Sequence, residues 1–587
     1  MSSLILGISV LRDSAACVLR DGVLVSALQE ERLSRRERTE AFPRLATARC
    51  LEEAGVSDRD VTDVAVSVLP GAHDRDKLRH AARLGPAREA YLEHGISRPQ
   101  RRLIAFWEWF HATFDHAPRP PTVHFVDHPL AHLGRYYGCG YDAAALLLVD
   151  GTEDWSTTWM GRAEGLGIER LGESHFPHSL GLFHAACTRF CGFEPDRDED
   201  ETAGLAAMGD PGRFYRSVRD LIEVGPGGRL RIDTGPFTFD GPSSAPCTAD
   251  FERTFGTPRR PEEPVSRRHR DVAAAFQRVL EECVLALCAQ LSEATGERRL
   301  VLGGDVALNA AANGRILRES AFEDLHVPPA PGDSGTCIGA AYHVYHRVLG
   351  HATRRARTDP YLGTAYDADD VEAALVQVGV SHSRSANACA EAAARLAQGQ
   401  VVGWFQGAME FGPHALGNRS VLADPRRPEI ARRVNASIRR REPFWRFAAS
   451  VPREAASAWF DIGVGSTPTL EACPVRGGRT ALLPAVVHAD GSARVQAVDR
   501  RIDPRFHELL ARFGAETGVP VLLNTSLRAP GEPIVESPLD ALRCFSSTGI
   551  DALFLGDLVV EKAGRAEARH LTAVDSGRDV PDRGSAP

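Results

Sequence analysis

His128 and His132 stand four residues apart in the run HPLAH. On a helix, residues i and i+4 share a face, so both imidazoles can bind one ion. Taken alone, such a pair is more commonly just an exposed helix face. Asp150 follows the apolar run Ala143–Val149 and opens Asp150-Gly151-Thr152. The C-terminal end of a buried strand is where α/β sheets place ligand groups, and a turn cap is the plainer alternative. Asp333 lies in Pro331-Gly332-Asp333-Ser334-Gly335, a glycine-flanked loop able to carry a carboxylate into the same crevice, or else a surface turn. Two histidines with two aspartates suit Fe(II), Mn(II) or Zn(II), and four such features together weigh against coincidence. Cys187 and Cys191 are also four apart, but with no second pair they read as core thiols.

A second constellation follows the apolar run Leu300–Leu302. Gly303-Gly304-Asp305-Val306-Ala307-Leu308-Asn309 leads into Ala310 to Gly314. Small residues between a strand and a helix let a nucleotide approach the backbone, and Asn309 and Asn313 can hydrogen-bond it. A glycine pair after a strand is weak evidence by itself.

These residues need a scaffold, and the pattern predicts an α/β one. Strands are expected at Leu4–Val10, Ala15–Leu19 and Val23–Leu28, with Asp21-Gly22 as a hairpin turn. This opening is the one actin-like and sugar-kinase-like domains use. A helix is expected over Phe42 to Gly55 and further strands at Val64–Val68, Val123–Val126 and Ala143–Val149. Residues 70–120 read as a helical insertion and 225–270 as a surface loop or hairpin. A long helix, Arg270 to Thr295, precedes the glycine-rich segment. The Arg-rich stretch His351 to Pro360 marks a boundary, giving domains at 1–355 and 361–565 and a disordered tail at 566–587. In the second domain a strand is expected at Val519–Leu523, followed by Asn524-Thr525-Ser526. No internal repeat is visible.

The composition narrows the function classes. Of 587 residues, 43% are hydrophobic and 25% charged, the balance of an ordinary globular protein. The net charge of −9 offers no nucleic-acid footprint, and runs such as Arg439-Arg440-Arg441 are offset by acids elsewhere. No apolar stretch reaches the ~20 residues of a membrane span. The scattered cysteines and the strand-like N-terminus predict a reduced, cytoplasmic protein without a signal peptide. Lysine occurs only at 77 and 562, so arginine carries nearly all positive charge. Monomer and oligomer both stay open.

The segments EERLSR (30–35), HPLAH, VDG, HSLGLFHAACTRFCGF (178–193), VALNAAANGRIL (306–317) and PGDSG, with GWFQGAMEFGPHALGNRSVLADPR (403–426) and LLNTSLRAPGEPIVESPLDAL (522–542), together resemble the NodU/CmcH-type carbamoyltransferases. The resemblance spans about residues 3–562. It implies an N-terminal domain similar to the threonylcarbamoyl-transferase fold of the actin/sugar-kinase superfamily and a C-terminal YrdC-like α/β domain. It further implies that the second domain makes carbamoyl-adenylate from carbamoyl phosphate and ATP with Mg. The first would then pass the carbamoyl group to a hydroxyl of a natural product. Metal binding falls on His128, His132, Asp150 and Asp333, with Fe(II) preferred over Mn or Zn. Catalytic roles fall on Asp13, Arg419 and Arg441. Donor and nucleotide contacts fall on Gly303, Gly304, Asn309, Asn313, Arg419, Ser420, Arg439, Arg441, Asn524, Thr525 and Ser526.

Six positions depart from the family pattern: Arg12 for histidine, Glu201 for lysine, Asp305 for glycine, His414 and Trp445 for arginines, and Arg439 for a lysine, the last in keeping with the near absence of lysine. His414, Trp445 and Glu201 each delete positive charge where anionic donors would sit. Arg446, next to Trp445, is a candidate substitute for the missing guanidinium. Beside the O-carbamoyltransferase reading stand two others: an enzyme with an altered donor or acyl group, and a silent homologue that binds a partner or ligand.

Overall fold

The computed structural model describes residues 2–115, 117, 119–151, 154–239, 247–463 and 471–562; the expected tail lies outside them. The first sheet contains β1 (Leu4–Ser9), β2 (Ala15–Arg20), β3 (Val23–Gln29), β4 (Asp63–Val66) and β5 (Thr122–Phe125), in the order β3-β2-β1-β4-β5. β1 pairs antiparallel with β2 and parallel with β4. The hairpin expected at Asp21-Gly22 is present, with φ of +48° and +77° at its two corner residues, values that aspartate and glycine tolerate better than most side chains.

The second sheet contains β6 (Ala143–Val149), β7 (Ser156–Glu164) and β8 (Gly167–His175). After a separate hairpin, β9 (Ile222–Val224) and β10 (Leu230–Ile232), it is completed by β11 (Arg299–Gly303) and β12 (Asp324–His326). Its order is β12-β11-β6-β7-β8. Here too the first strand pairs antiparallel with the second and the second with the third, while the first, fourth and fifth run parallel. The two sheets therefore repeat one topology, although no repeat is visible in the residues.

β6 shows why the second sheet is central. Ala145, Leu147 and Val149 face the long helix Arg267–Thr295 through Phe276, Val279 and Leu280, while Ala144, Leu146 and Leu148 face Ala131, Leu133 and Ile338. A strand buried on both faces must be apolar throughout, and each buried leucine contributes about 1.5–3 kcal/mol. The helices His128–Leu133 and Thr336–His343 on the second face meet backbone to backbone. A Cβ at Gly339 would lie 1.8 Å from the Ala131 carbonyl oxygen, and one at Gly134 2.3 Å from that of Gly339. The 70–120 insertion is helical, as expected, with helices Asp74–Ala81, Arg88–Leu92 and Arg98–Phe114.

The remaining large sheet takes all its strands from residues 383–561: β13 (Ser383–Arg384), β14 (Val402–Phe405), β15 (Arg419–Ala423), β16 (Ala448–Pro452), β17 (Glu471–Pro474), β18 (Ser492–Val498), β19 (Leu522–Ser526), β20 (Ala552–Leu555) and β21 (Leu558–Glu561). Their order is β13-β21-β20-β14-β15-β19-β16-β18-β17, with parallel and antiparallel pairs mixed. The strand expected at 519–523 begins three residues later. Pro520 has no N–H for the ladder, and Asn524-Thr525-Ser526 belong to the strand itself. All twelve cysteines are free and buried. Among the described residues no helix is long and apolar enough to cross a membrane.

Candidate active site

The four residues singled out as metal ligands come together. His128 and His132 occupy successive turns of their short helix, with ring centroids 4.5 Å apart. His128 Nε2 lies 3.0 Å from Asp150 Oδ2 and 3.2 Å from His132 Nε2. His132 Nε2 lies 3.7 Å from both Asp150 Oδ2 and Asp333 Oδ1. One ligand atom from each residue falls within 4.8 Å of all the others, and all four residues are buried.

The surroundings orient this set. His132 Nδ1 donates to the Pro331 carbonyl at 3.0 Å. A carbonyl only accepts, so Nε2 turns its lone pair to the cluster. Burial and the neighbouring His128 push His132 down to about 4, so it is neutral at pH 7. Asp150 Oδ1 accepts from the Asp305 N–H at 3.0 Å. Gly304, at φ +90°, permits that contact, because a Cβ there would sit 2.2 Å from the Val149 carbonyl oxygen. Two imidazoles and two carboxylates, buried together, fit a divalent cation.

Asp333 and Asp305 also face a cavity of about 690 Å³ that both halves of the chain line. From the N-terminal half come Arg12, Asp13, Glu201 and Asn309, and from the C-terminal half His414, Arg439, Arg441, Trp445, Asn524, Thr525, Ser526 and Arg528. Asp13, half-buried at the cavity wall, is raised by desolvation to about 6 despite Arg38 nearby. Arg439 is pushed well down by burial and by the like charges of Arg528 and Arg441. Cations crowded together around a buried Arg439 suit an anion. Arg528, which stands within the LLNTSLRAPGEP segment but was not among the expected site residues, pairs with Glu37 across the two halves.

Several expected ligand contacts are structural instead. Arg419 is fully buried and does not reach the cavity. Its guanidinium donates to the carbonyls of Gln406 (2.6 Å), Gly407 (3.3 Å), Asn418 (3.0 Å) and Thr364 (3.1 Å) and lies 3.7 Å from the Phe405 ring centroid. Ser420 accepts from the Gly417 N–H and shapes the same turn. Glu410 orders this loop by accepting from the N–H groups of Leu416, Asn418 and Arg419. Asn313 donates to the Ala307 carbonyl. Asn309 lines the cavity, but its amide caps the helix Ala310–Glu319 and bonds Gln277 twice. Gly303 and Gly304 serve backbone approach beside His132 and Val149. Arg446 donates to the Pro443, Phe444 and Trp445 carbonyls, so it does not replace the missing guanidinium.

Three of the departures, Glu201, His414 and Trp445, lie together. Arg441 lies 3.4 Å from Glu201 and 4.3 Å from the Trp445 ring centroid; Arg494 lies 2.6 Å from Asp200 and 4.9 Å from that same centroid. Acids from the helix Glu199–Ala206 and a buried indole therefore engage two cavity arginines. Burial raises Glu201 to about 7 and lowers His414 to about 4, the latter crowded by Arg494, Arg441 and Arg32, so His414 supplies no charge at neutral pH. Sequence reasoning missed Arg494 and Asp200. Arg494 carries no motif, whereas Asp200 sits next to a residue already noted as anomalous.

Comparison with known proteins places the chain in a family. A family described as Carbamoyltransferase N-terminus matches residues 4–342, and one described as Carbamoyltransferase C-terminus matches residues 393–562. An uncharacterized protein of Synechocystis sp. is 35% identical, across 96% of this chain and 97% of its own length. Nodulation protein NolNO of Sinorhizobium fredii is 33% identical across 96% of this chain and 80% of its own. A 3'-hydroxymethylcephem-O-carbamoyltransferase of Amycolatopsis lactamdurans is 32% identical across 45% of this chain and 49% of its own. Among solved structures, full-length HypF in its phosphate- and nucleotide-bound form aligns at a TM-score of 0.33 and 13% identity, over 60% of this chain and 56% of that one. With both family descriptions matched in order, the chain belongs to the carbamoyltransferase family.

Proposed function

We propose that this protein is an O-carbamoyltransferase that uses carbamoyl phosphate and ATP, through carbamoyl-adenylate, to carbamoylate a hydroxyl of a secondary metabolite in the cytoplasm. Residues 361–565 are the YrdC-like adenylate-forming domain in this reading, and residues 1–355 transfer the carbamoyl group. The shared cavity carries the proposal: a mixed anhydride formed beside Arg439 and Arg528 can meet a hydroxyl beside Asp13 and Asp333 without entering bulk water.

His128, His132, Asp150 and Asp333 would hold the divalent ion, Fe(II) in preference to Mn(II) or Zn(II). Such an ion supplies polarisation of the carbamoyl oxygen. Asp13, poised near neutrality, takes the proton of the attacking hydroxyl. Arg439 and Arg528 balance phosphate charge, with Thr525 and Ser526 as hydrogen-bond donors beside them. A second reading, in which the donor or its acyl group differs, draws support from one observation: Glu201 and Asp200 already occupy Arg441 and Arg494.

Protein incubated with ATP and carbamoyl phosphate, without acceptor, should release pyrophosphate, and Arg439→Ala should abolish that release. Elemental analysis should find metal that Asp150→Asn loses. Retained metal with no pyrophosphate release would reject the standard donor and leave the second reading.

A further inference from the structure

A second cavity, of about 280 Å³, opens beside the first, and Arg12 and Leu182 line both. Its floor is one stripe of the helix Leu180–Phe190: Leu182, Ala185, Ala186 and Arg189, at the i, i+3, i+4, i+7 spacing that shares a face. That helix starts against the metal cluster. Ser179 Oγ donates to the Asp150 carbonyl at 2.8 Å, and a Cβ at Gly181 would sit 2.8 Å from the same oxygen. Seven residues of helix, about 10 Å, separate the Leu182 end from Arg189.

The walls combine aromatic surface with positive charge. Tyr91 and Trp155 pack on Phe176 with centroids 5.5 and 5.9 Å apart, and Phe239 stacks on Phe237 at 4.8 Å. Asp154, the single lining carboxylate among the described residues, lies 3.5 Å from Lys77. Arg98 and Arg102 both reach Glu40. Arg189 has no ion pair or side-chain hydrogen bond among the described residues. Arg12, where the family pattern has histidine, pairs with Asp196 at the junction of the two cavities, so Arg189 is the cation that a ligand finds open.

We propose that this second cavity holds the acceptor, and that the acceptor carries a carboxylate for Arg189 and a flat or ring-shaped body for the aromatic wall, with its reacting hydroxyl about 10 Å away at the Leu182 end. A lone guanidinium is the fork that a carboxylate satisfies in bidentate fashion. This inference rests on the O-carbamoyltransferase reading for its chemistry but not for its binding.

The test uses the full chain and two probes that differ only at C6, 4-nitrophenyl β-D-glucuronide with a carboxylate and the neutral 4-nitrophenyl β-D-glucoside with a hydroxymethyl group, with affinities from calorimetry. The glucuronide should bind about tenfold tighter or better. Arg189→Gln should bring the two together, and Arg189→Lys should keep part of the preference. Equal affinities, failure of both probes to bind, or a preference that survives Arg189→Gln overturns the assignment. Pyrophosphate release is measured on the same wild-type sample. Release without the preference refutes the acceptor site alone, and the preference without release refutes the donor chemistry alone.

Discussion

Replacing Glu201 with glutamine isolates the electrostatics of the departures, because it keeps the side chain's shape and removes only its charge. In the wild type Arg441 faces the Glu201 carboxylate at 3.4 Å, so an incoming phosphate competes with a resident anion. A hydrogen bond to a charged group is worth about 1.5–3 kcal/mol. Freeing Arg441 should therefore lower the KM for carbamoyl phosphate or ATP in the pyrophosphate assay by roughly 10- to 150-fold. Because Glu201 titrates at about 7, acid does to the wild type what the substitution does permanently. The gap between variant and wild type should be widest at pH 8 and close toward pH 6, and comparing the two proteins at each pH cancels titration of the phosphates themselves. Stability offers an independent check. The folded pKa lies above the ordinary 4.5, so the stability contributed by the protonated carboxyl is fully present below pH 4.5 and is lost as the pH rises through about 7. Relative to wild type the variant should gain up to about 3 kcal/mol across that window, read by denaturant melts. An unchanged KM at pH 8, or a gap that ignores pH, would refute the idea that Glu201 restrains Arg441.

Asp13→Asn should slow carbamoyl transfer by roughly 10²–10⁴-fold and erase a limb near pH 6 in kcat/KM, above which the wild type is active because its carboxylate is then ionised; a pH–rate profile of both proteins decides. Arg419→Ala should act on stability, since it strands buried carbonyls and leaves a void under Phe405. A loss of about 3 kcal/mol or more in urea melts is expected. A folded, fully stable Arg419→Ala protein lacking only pyrophosphate release would restore the anion contact expected from its sequence.

The meeting of His128, His132, Asp150 and Asp333 was legible because its parts obey local rules: an i, i+4 pair on a helix, a carboxylate at a strand end, and an aspartate in a glycine-flanked turn. The first three strands were legible for the same reason, with alternation and an Asp-Gly corner. Arg419 was misread because a buried arginine satisfied by four carbonyls carries the same letter as one that grips a phosphate. Only the surrounding loop, ordered by Glu410, tells them apart. The start of β19 was missed by three residues because apolar content outweighed Pro520. Asp200 and Arg494 lie 294 residues apart, a pairing that no single-sequence pattern encodes. The repeated sheet topology left no trace in the residues because backbone pairing, not side-chain identity, is what repeats.

The glycine contact beside the four-residue His/Asp cluster has a consequence for ion choice. Gly134, Gly339 and the Ala131 carbonyl leave no side chain between the helix carrying His128 and His132 and the one that follows Asp333. Interfaces cushioned by long side chains can breathe through rotamer changes, whereas two backbones in contact can only move as whole helices. The span between imidazole and carboxylate is thus fixed before any ion arrives, like the jaws of a calliper locked at one reading. An ion held by these four residues is then sorted by its radius and preferred bond lengths, and a growth medium rich in the wrong metal should load the protein poorly.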